Sequence, residues 1–112
     1  MKFEVLQDGL RDEAVWLWGQ DGREVILGAV TREALEDDAE PPRRDLSPDK
    51  LMRLATANAE AISRVLSVKL QAGEAKTPRT GDWPRIWLRS GDLQAAGERL
   101  SSSVLDVDFE WG

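Results

Sequence analysis

The sequence predicts an α+β fold in two layers: a four- to five-stranded, mostly antiparallel sheet with one long helix packed on one face. Three observations lead there. A strand, an Asp-Gly turn and a second strand lie near the start, a long run of helically spaced apolar residues fills the middle, and alternating segments return at the end. At 112 residues the chain suits one domain, with a core made by a single sheet under one layer of helix. Within it, residues 1–30 supply strands and a hairpin, 48–72 the long helix, and 83–111 the C-terminal strands.

Lys2 to Leu6 alternates, with Phe3 and Val5 on one face, and reads as the first strand; Asp8-Gly9 is a turn signal. Residues 13–18, rich in β-branched and aromatic types, form the second strand. Gly19-Gln20-Asp21-Gly22 supplies a turn, because Asp-Gly tolerates positive φ, and the third strand runs from Glu24 to Val30. Thr31 is placed to cap a short helix over Arg32–Asp38, with Glu33 and Glu36 near its positive end. The following stretch to Arg44 is charged, broken by Pro41 and Pro42, and reads as a loop.

Ser47-Pro48 opens the long helix, with serine as cap and proline where its missing N–H costs nothing. Leu51, Leu54, Ala55, Asn58, Ala61, Ile62, Val65, Leu66 and Leu70 make its stripe, which ends near Gly73. Asn58 interrupts the stripe and reads as a hydrogen-bonded boundary residue. After a polar linker at 73–82, Trp83–Arg89 forms the fourth strand, with Ile86 and Leu88 facing one way and Arg85, Trp87 and Arg89 the other. A short turn or helix follows from Ser90. Val104–Trp111 then alternates apolar with Asp106, Asp108 and Glu110, giving a final strand expected beside 83–89, where Arg85 and Arg89 would face Asp106 and Asp108.

The segment Trp16-Leu17-Trp18-Gly19-Gln20-Asp21-Gly22-Arg23-Glu24-Val25, followed by Thr31-Arg32-Glu33-Ala34-Leu35, resembles the start of the small bacterial family called Domain of Unknown Function 1488. Leu51–Ile62, with Ala57-Asn58, resembles its long helix, and Ile86–Leu93 its closing strand, so the resemblance covers residues 14–93. The linker at 73–82 is longer than the family pattern, and the chain continues past Leu93. The resemblance implies a small α+β fold and no activity.

Composition narrows the chemistry. With no cysteine and no histidine, disulfides, thiolate nucleophiles, imidazole bases and the usual transition-metal ligands are all missing. No cofactor and no transition metal is expected, and no catalytic residue is assigned. Glu4 stands where a secretion signal needs its apolar stretch, and no segment is apolar for the length of a membrane span, so a cytoplasmic protein is expected. Net charge is −6, yet residues 48–89 carry eight basic and four acidic groups. Lys50, Arg53, Arg64 and Lys69 could therefore offer a weak nucleic-acid contact, against the acidic total.

Two constellations compete for a role. A carboxylate-based site, for a small molecule or an enzyme reaction, would draw on Asp106, Asp108 and Glu110, or, more weakly, on Asp37, Asp38 and Glu40; a solvated edge is the better reading of the first set and a charge run before prolines of the second. Ser101-Ser102-Ser103 and Lys69 lack an orienting partner in the sequence. The tryptophans say more, since five occur without a single tyrosine. By strand parity Trp16, Trp18 and Trp87 share the sheet face with Arg85 and Arg89, opposite the helix. Tryptophan and arginine dominate binding hot spots. The expectation is a non-enzymatic binding or accessory domain that uses this face for a homodimer or a protein partner, unless the loop at 36–47 or the C-terminal segment covers the rings.

Overall fold

The computed structural model describes residues 1–106. In chain order the elements are β1 (Phe3–Arg11), β2 (Ala14–Asp21), β3 (Glu24–Thr31), α1 (Arg32–Asp37), β4 (Ala39–Glu40), α2 (Pro48–Ala57), α3 (Ala59–Gln71), β5 (Arg85–Leu88), α4 (Asp92–Ala95) and β6 (Leu100–Ser101), followed by a 3-10 turn over Ser103–Asp106. The fold is α+β. A four-stranded mixed sheet has the order β1-β2-β3-β5, and β4 and β6 make a separate two-stranded sheet.

The first three strands are antiparallel, as alternation and tight turns predict, but β5 joins β3 in parallel. The cause is the connection between them, which carries α1, α2 and α3; a crossover of that length returns the chain in its starting direction. The hairpin turn also sits further along than expected. Pairing runs through Gly19 to Asp21 opposite Glu24, so Gly22-Arg23 make the turn and Gly22 takes φ 63°.

Asp8-Gly9 does not end the first strand. Register moves from Val5 opposite Leu17 to Leu10 opposite Val15, so Leu6–Gly9 stand against Trp16 alone in a wide bulge. Glycine is required there by close approach: a Cβ on Gly9 would lie 2.8 Å from the Leu6 carbonyl oxygen and 3.0 Å from that of Trp16.

The predicted long helix is two helices. Asn58, at φ −112° and ψ 23°, leaves the helical region between α2 and α3. Its carboxamide donates to the Leu54 carbonyl at 2.9 Å and to the Ser101 carbonyl at 3.0 Å, and accepts from the Ser101 N–H at 2.9 Å. A side chain that satisfies the edge of β6 in this way competes with the helix backbone and breaks it. The other helix starts follow the predicted chemistry, with Thr31 Oγ1 accepting from the Ala34 N–H and Ser47 Oγ from the Lys50 N–H.

All the longer helices lie on one sheet face. Leu51, Leu54, Ile62, Val65 and Leu66 share a buried cluster with Val15, Leu17, Ile86 and Leu88. Ser63 ties α3 to β1, accepting from the Phe3 N–H and donating to its carbonyl, both at 3.0 Å. The expected strand from Val104 is not formed over its described part: Ser103–Asp106 coil into a 3-10 turn that buries Leu105. Asp106 meets Arg43 instead of Arg85 or Arg89, and the same guanidinium reaches the Ser102 carbonyl. Val107–Trp111, with Phe109 and Trp111, lie outside the described residues. Among the described residues no helix is long and apolar enough to cross a membrane.

Candidate functional site

Strand parity sends alternate residues of β2, β3 and β5 away from the helices. Trp16 stands opposite Ala29, and Ala29 opposite Trp87, so two indoles flank one small residue across three strands. Their ring centroids are 5.1 Å apart with planes at 73°, an edge-to-face contact suited to the ring quadrupoles. The Arg85 guanidinium lies 5.5 Å from the centroid of Trp16, and that of Arg89 lies 5.3 Å from Trp87. The four side chains thus run arginine, indole, indole, arginine.

Every member of this second apolar cluster comes from the sheet: Ala14, Trp16 and Ala29, with Leu6, Leu27 and Trp87 packed against them. Trp16 retains only 8% exposure, and its indole N–H donates to the Arg11 carbonyl at 3.1 Å. Trp87 is half-buried, and Arg89 is exposed. Ala39 and Leu46, from the loop at 36–47, join the core on the helix side and leave these rings alone. Trp18 is on the same face but stands apart, half-buried in a hollow with Lys2, Glu4 and Gln20.

The β1 bulge opens a cavity of about 460 Å³ beside Trp16, Leu27 and Arg85, rimmed by Asp8, Arg11 and Asp12. A second cleft, of about 540 Å³, runs along the outer edge of β5 between Lys76, Pro78, Trp87 and Arg89. At that edge Lys76 and Arg85 exchange backbone hydrogen bonds of 2.9 and 2.8 Å. Asp38 fixes the other end of the strand: its buried carboxylate accepts from the N–H groups of Gly91 and Leu93, while Asp92 accepts from that of Arg89. Sequence reasoning read Asp38 as the end of the short helix and as part of a charge run, not as a buried acceptor for the chain after β5. Its position next to the Thr31-capped helix was the available signal.

Arginines 85 and 89 make no ion pair among the described residues, and the Nε of Arg85 is buried with no acceptor. Of the other cations singled out in the middle segment, Arg53 pairs with Asp49, Lys69 with Glu74 and Asp92, and Arg64 with Glu98, while Lys50 makes no ion pair among the described residues. The Arg64–Glu98 bonds, at 2.7 and 2.9 Å, hold the Glu98 carboxyl below its ordinary range and raise the Arg64 guanidinium.

The carboxylate candidates are dispersed into structural contacts. Asp37 accepts from the Ser90 hydroxyl, Glu40 pairs with Arg99, and Asp106 pairs with Arg43; Asp108 and Glu110 lie outside the described residues. No group of three or more acidic, histidine or cysteine side chains among the described residues is placed to hold a metal ion. Ser102 donates to the Pro41 carbonyl, and the hydroxyls of Ser101 and Ser103 meet at 2.8 Å. Trp83, which sequence reasoning counted as strand, precedes β5 and is 55% exposed beside Arg23 and Asp82. No family model, curated protein or solved structure matches the chain.

Proposed function

We propose that this chain is a non-enzymatic binding domain that takes a protein partner, or a second copy of itself, on the Trp/Arg face of its sheet. One observation carries the reading: the Trp16–Trp87 pair is built from strand residues alone, and its two stacked arginines have no carboxylate partner among the described residues. A half-buried indole packed against a buried one, each with a guanidinium over its ring, has the composition of an interface centre. Kinship with the Domain of Unknown Function 1488 family over residues 14–93 is proposed beside it and adds no activity.

The test is sedimentation across a concentration series for wild type and Trp87→Ala, with folding checked by circular dichroism. Removal of a central anchor weakens association by about 2 kcal/mol or more, roughly thirtyfold in Kd. A wild type that stays monomeric leaves the separate protein partner as occupant. If the indole N–H of Trp87 proves shielded from a soluble paramagnetic probe in the monomer, the face is closed and the reading fails.

A further inference from the structure

We infer that the occupant of this face is an extended acidic peptide segment of another protein, gripped through carboxylates spaced four residues apart. The inference rests on the Trp/Arg face being the binding surface and adds the chemistry of what binds there. Arg85 and Arg89 are four residues apart at β5, so their attachment points are separated by about 13 Å along the strand direction. Each guanidinium lies over an indole. A guanidinium held over a ring is oriented by it while its terminal N–H groups stay available for a planar, two-oxygen acceptor, which is the geometry a carboxylate offers; at Arg85 those are the two Nη groups, because Nε is buried.

The chain leaves that demand unmet within its described residues. Arg85 and Arg89 have no ion pair there, although acidic and basic side chains are paired at many places elsewhere on the surface. The Nε of Arg85 is buried with no acceptor. Lys76 adds a third cation at the wall of the β5 cleft, and the acidic residues there, Glu74 and Asp92, both pair with Lys69. Between Lys76 and Asp92, the backbone of Trp87 faces outward, because Arg85 bonds outward to Lys76 while the Pro84 carbonyl bonds inward to Leu27. An extended chain laid along this edge therefore finds a main-chain donor and acceptor at Trp87, with cations on either side. A net charge of −6 disfavours a long polyanion, whereas a short acidic segment can seat its carboxylates on Arg85 and Arg89 while its neutral residues pass Asp8 and Asp12 at the Arg85 cavity and Asp92 at the β5 cleft.

The probe is a synthetic tryptophan-free nonapeptide with aspartates at its third and seventh positions among serines and valines, titrated into the full chain. The indole N–H signals of all the tryptophans are followed by NMR. Saturable shifts at Trp16 and Trp87 are expected, weakened about tenfold or more by Arg85→Gln with Arg89→Gln, and abolished when the aspartates are replaced by asparagine. Moving the aspartates to two-residue spacing is expected to weaken binding as well. Equal binding by the asparagine peptide, or by the double glutamine variant, overturns the inference. So does a short single-stranded oligonucleotide that binds the face more tightly than the acidic peptide. A protein that self-associates through Trp87 yet ignores the peptide also overturns it, while leaving the binding face itself intact.

Discussion

Gly28 lies on the helix face of β3, under the side chain of Leu66. A methyl group at this position would sit 2.6 and 2.9 Å from the two Leu66 Cδ atoms and 3.3 Å from its Cγ. Leu66 is completely buried, so it has no open side to retreat into. Gly28→Ala sets two effects against each other. Loss of glycine freedom in the unfolded chain favours the native state by about 0.4–1 kcal/mol. Overpacking a closed core costs about 1–3 kcal/mol. With all the close contacts falling on one enclosed side chain, the steric effect wins, and a net loss of about 1–2 kcal/mol is expected. Urea unfolding followed by tryptophan fluorescence measures it. A double-mutant cycle then isolates the cause: Leu66→Ala alone costs about 2–5 kcal/mol, and the methyl group introduced by Gly28→Ala partly fills the resulting cavity, so the double variant is expected to lose less than the two single losses combined. A neutral or stabilising Gly28→Ala, or strictly additive losses, would refute the reasoning.

Asn58→Ala removes both bonds to Ser101 and leaves the edge of β6 to water, since these bonds are exposed, and a loss of about 0.5–1.5 kcal/mol in urea unfolding is expected. Asn58→Leu, which extends the apolar stripe, is expected to do no better, because the missing partner is polar. The Arg64–Glu98 pair makes acid stability sensitive to these two residues. Its bonds lower the Glu98 carboxyl, so the unfolded state takes up its proton first. The stabilisation is therefore present above the ordinary carboxylate range and is lost as pH falls through the lowered folded value. Glu98→Gln is expected to lower the melting temperature slightly at neutral pH, where the pair is fully formed, and to converge with the wild type at acid pH, which flattens the acid limb of the profile; an unaltered profile would show that solvent screening cancels the pair.

The strands of the four-stranded sheet were the most legible elements because each rests on a local rule, whereas the two-residue strands β4 and β6 are too short to show any alternation. Parity alone placed Trp16, Trp18 and Trp87 on one face with Arg85 and Arg89, since side-chain direction along a strand has period two whichever way its neighbour runs. Strand direction is a different matter. Nothing in Arg85–Leu88 encodes parallel pairing, which follows from where three intervening helices travel. The helix break was similarly hidden, because Asn58 lies on the apolar stripe and continues its spacing. Only Ser101, far along the chain, gives the carboxamide a reason to leave the helix. Gly9 misled for a physical reason: glycine marks turns and close backbone approaches alike, and here it serves the second. The stacking of guanidinium on indole depends on register between β2, β3 and β5, which periodicity cannot supply.

The bonds that close the structure have an order built into them. Phe3 meets Ser63 across 60 residues and Asn58 meets Ser101 across 43, whereas β1, β2 and β3 follow one another through tight turns. Loop closure of the distant kind carries a larger entropic cost and must precede the contacts that repay it. During synthesis the meander can therefore assemble while α2 and α3 are still acquiring their final bend. The β4–β6 ladder and the Asn58 carboxamide are satisfied only once residue 101 has left the ribosome. A nascent chain halted before that point leaves α2 without β6 and the 3-10 turn against it, and the core without Leu100 and Leu105, and this is the interval in which the protein is most exposed to misassociation.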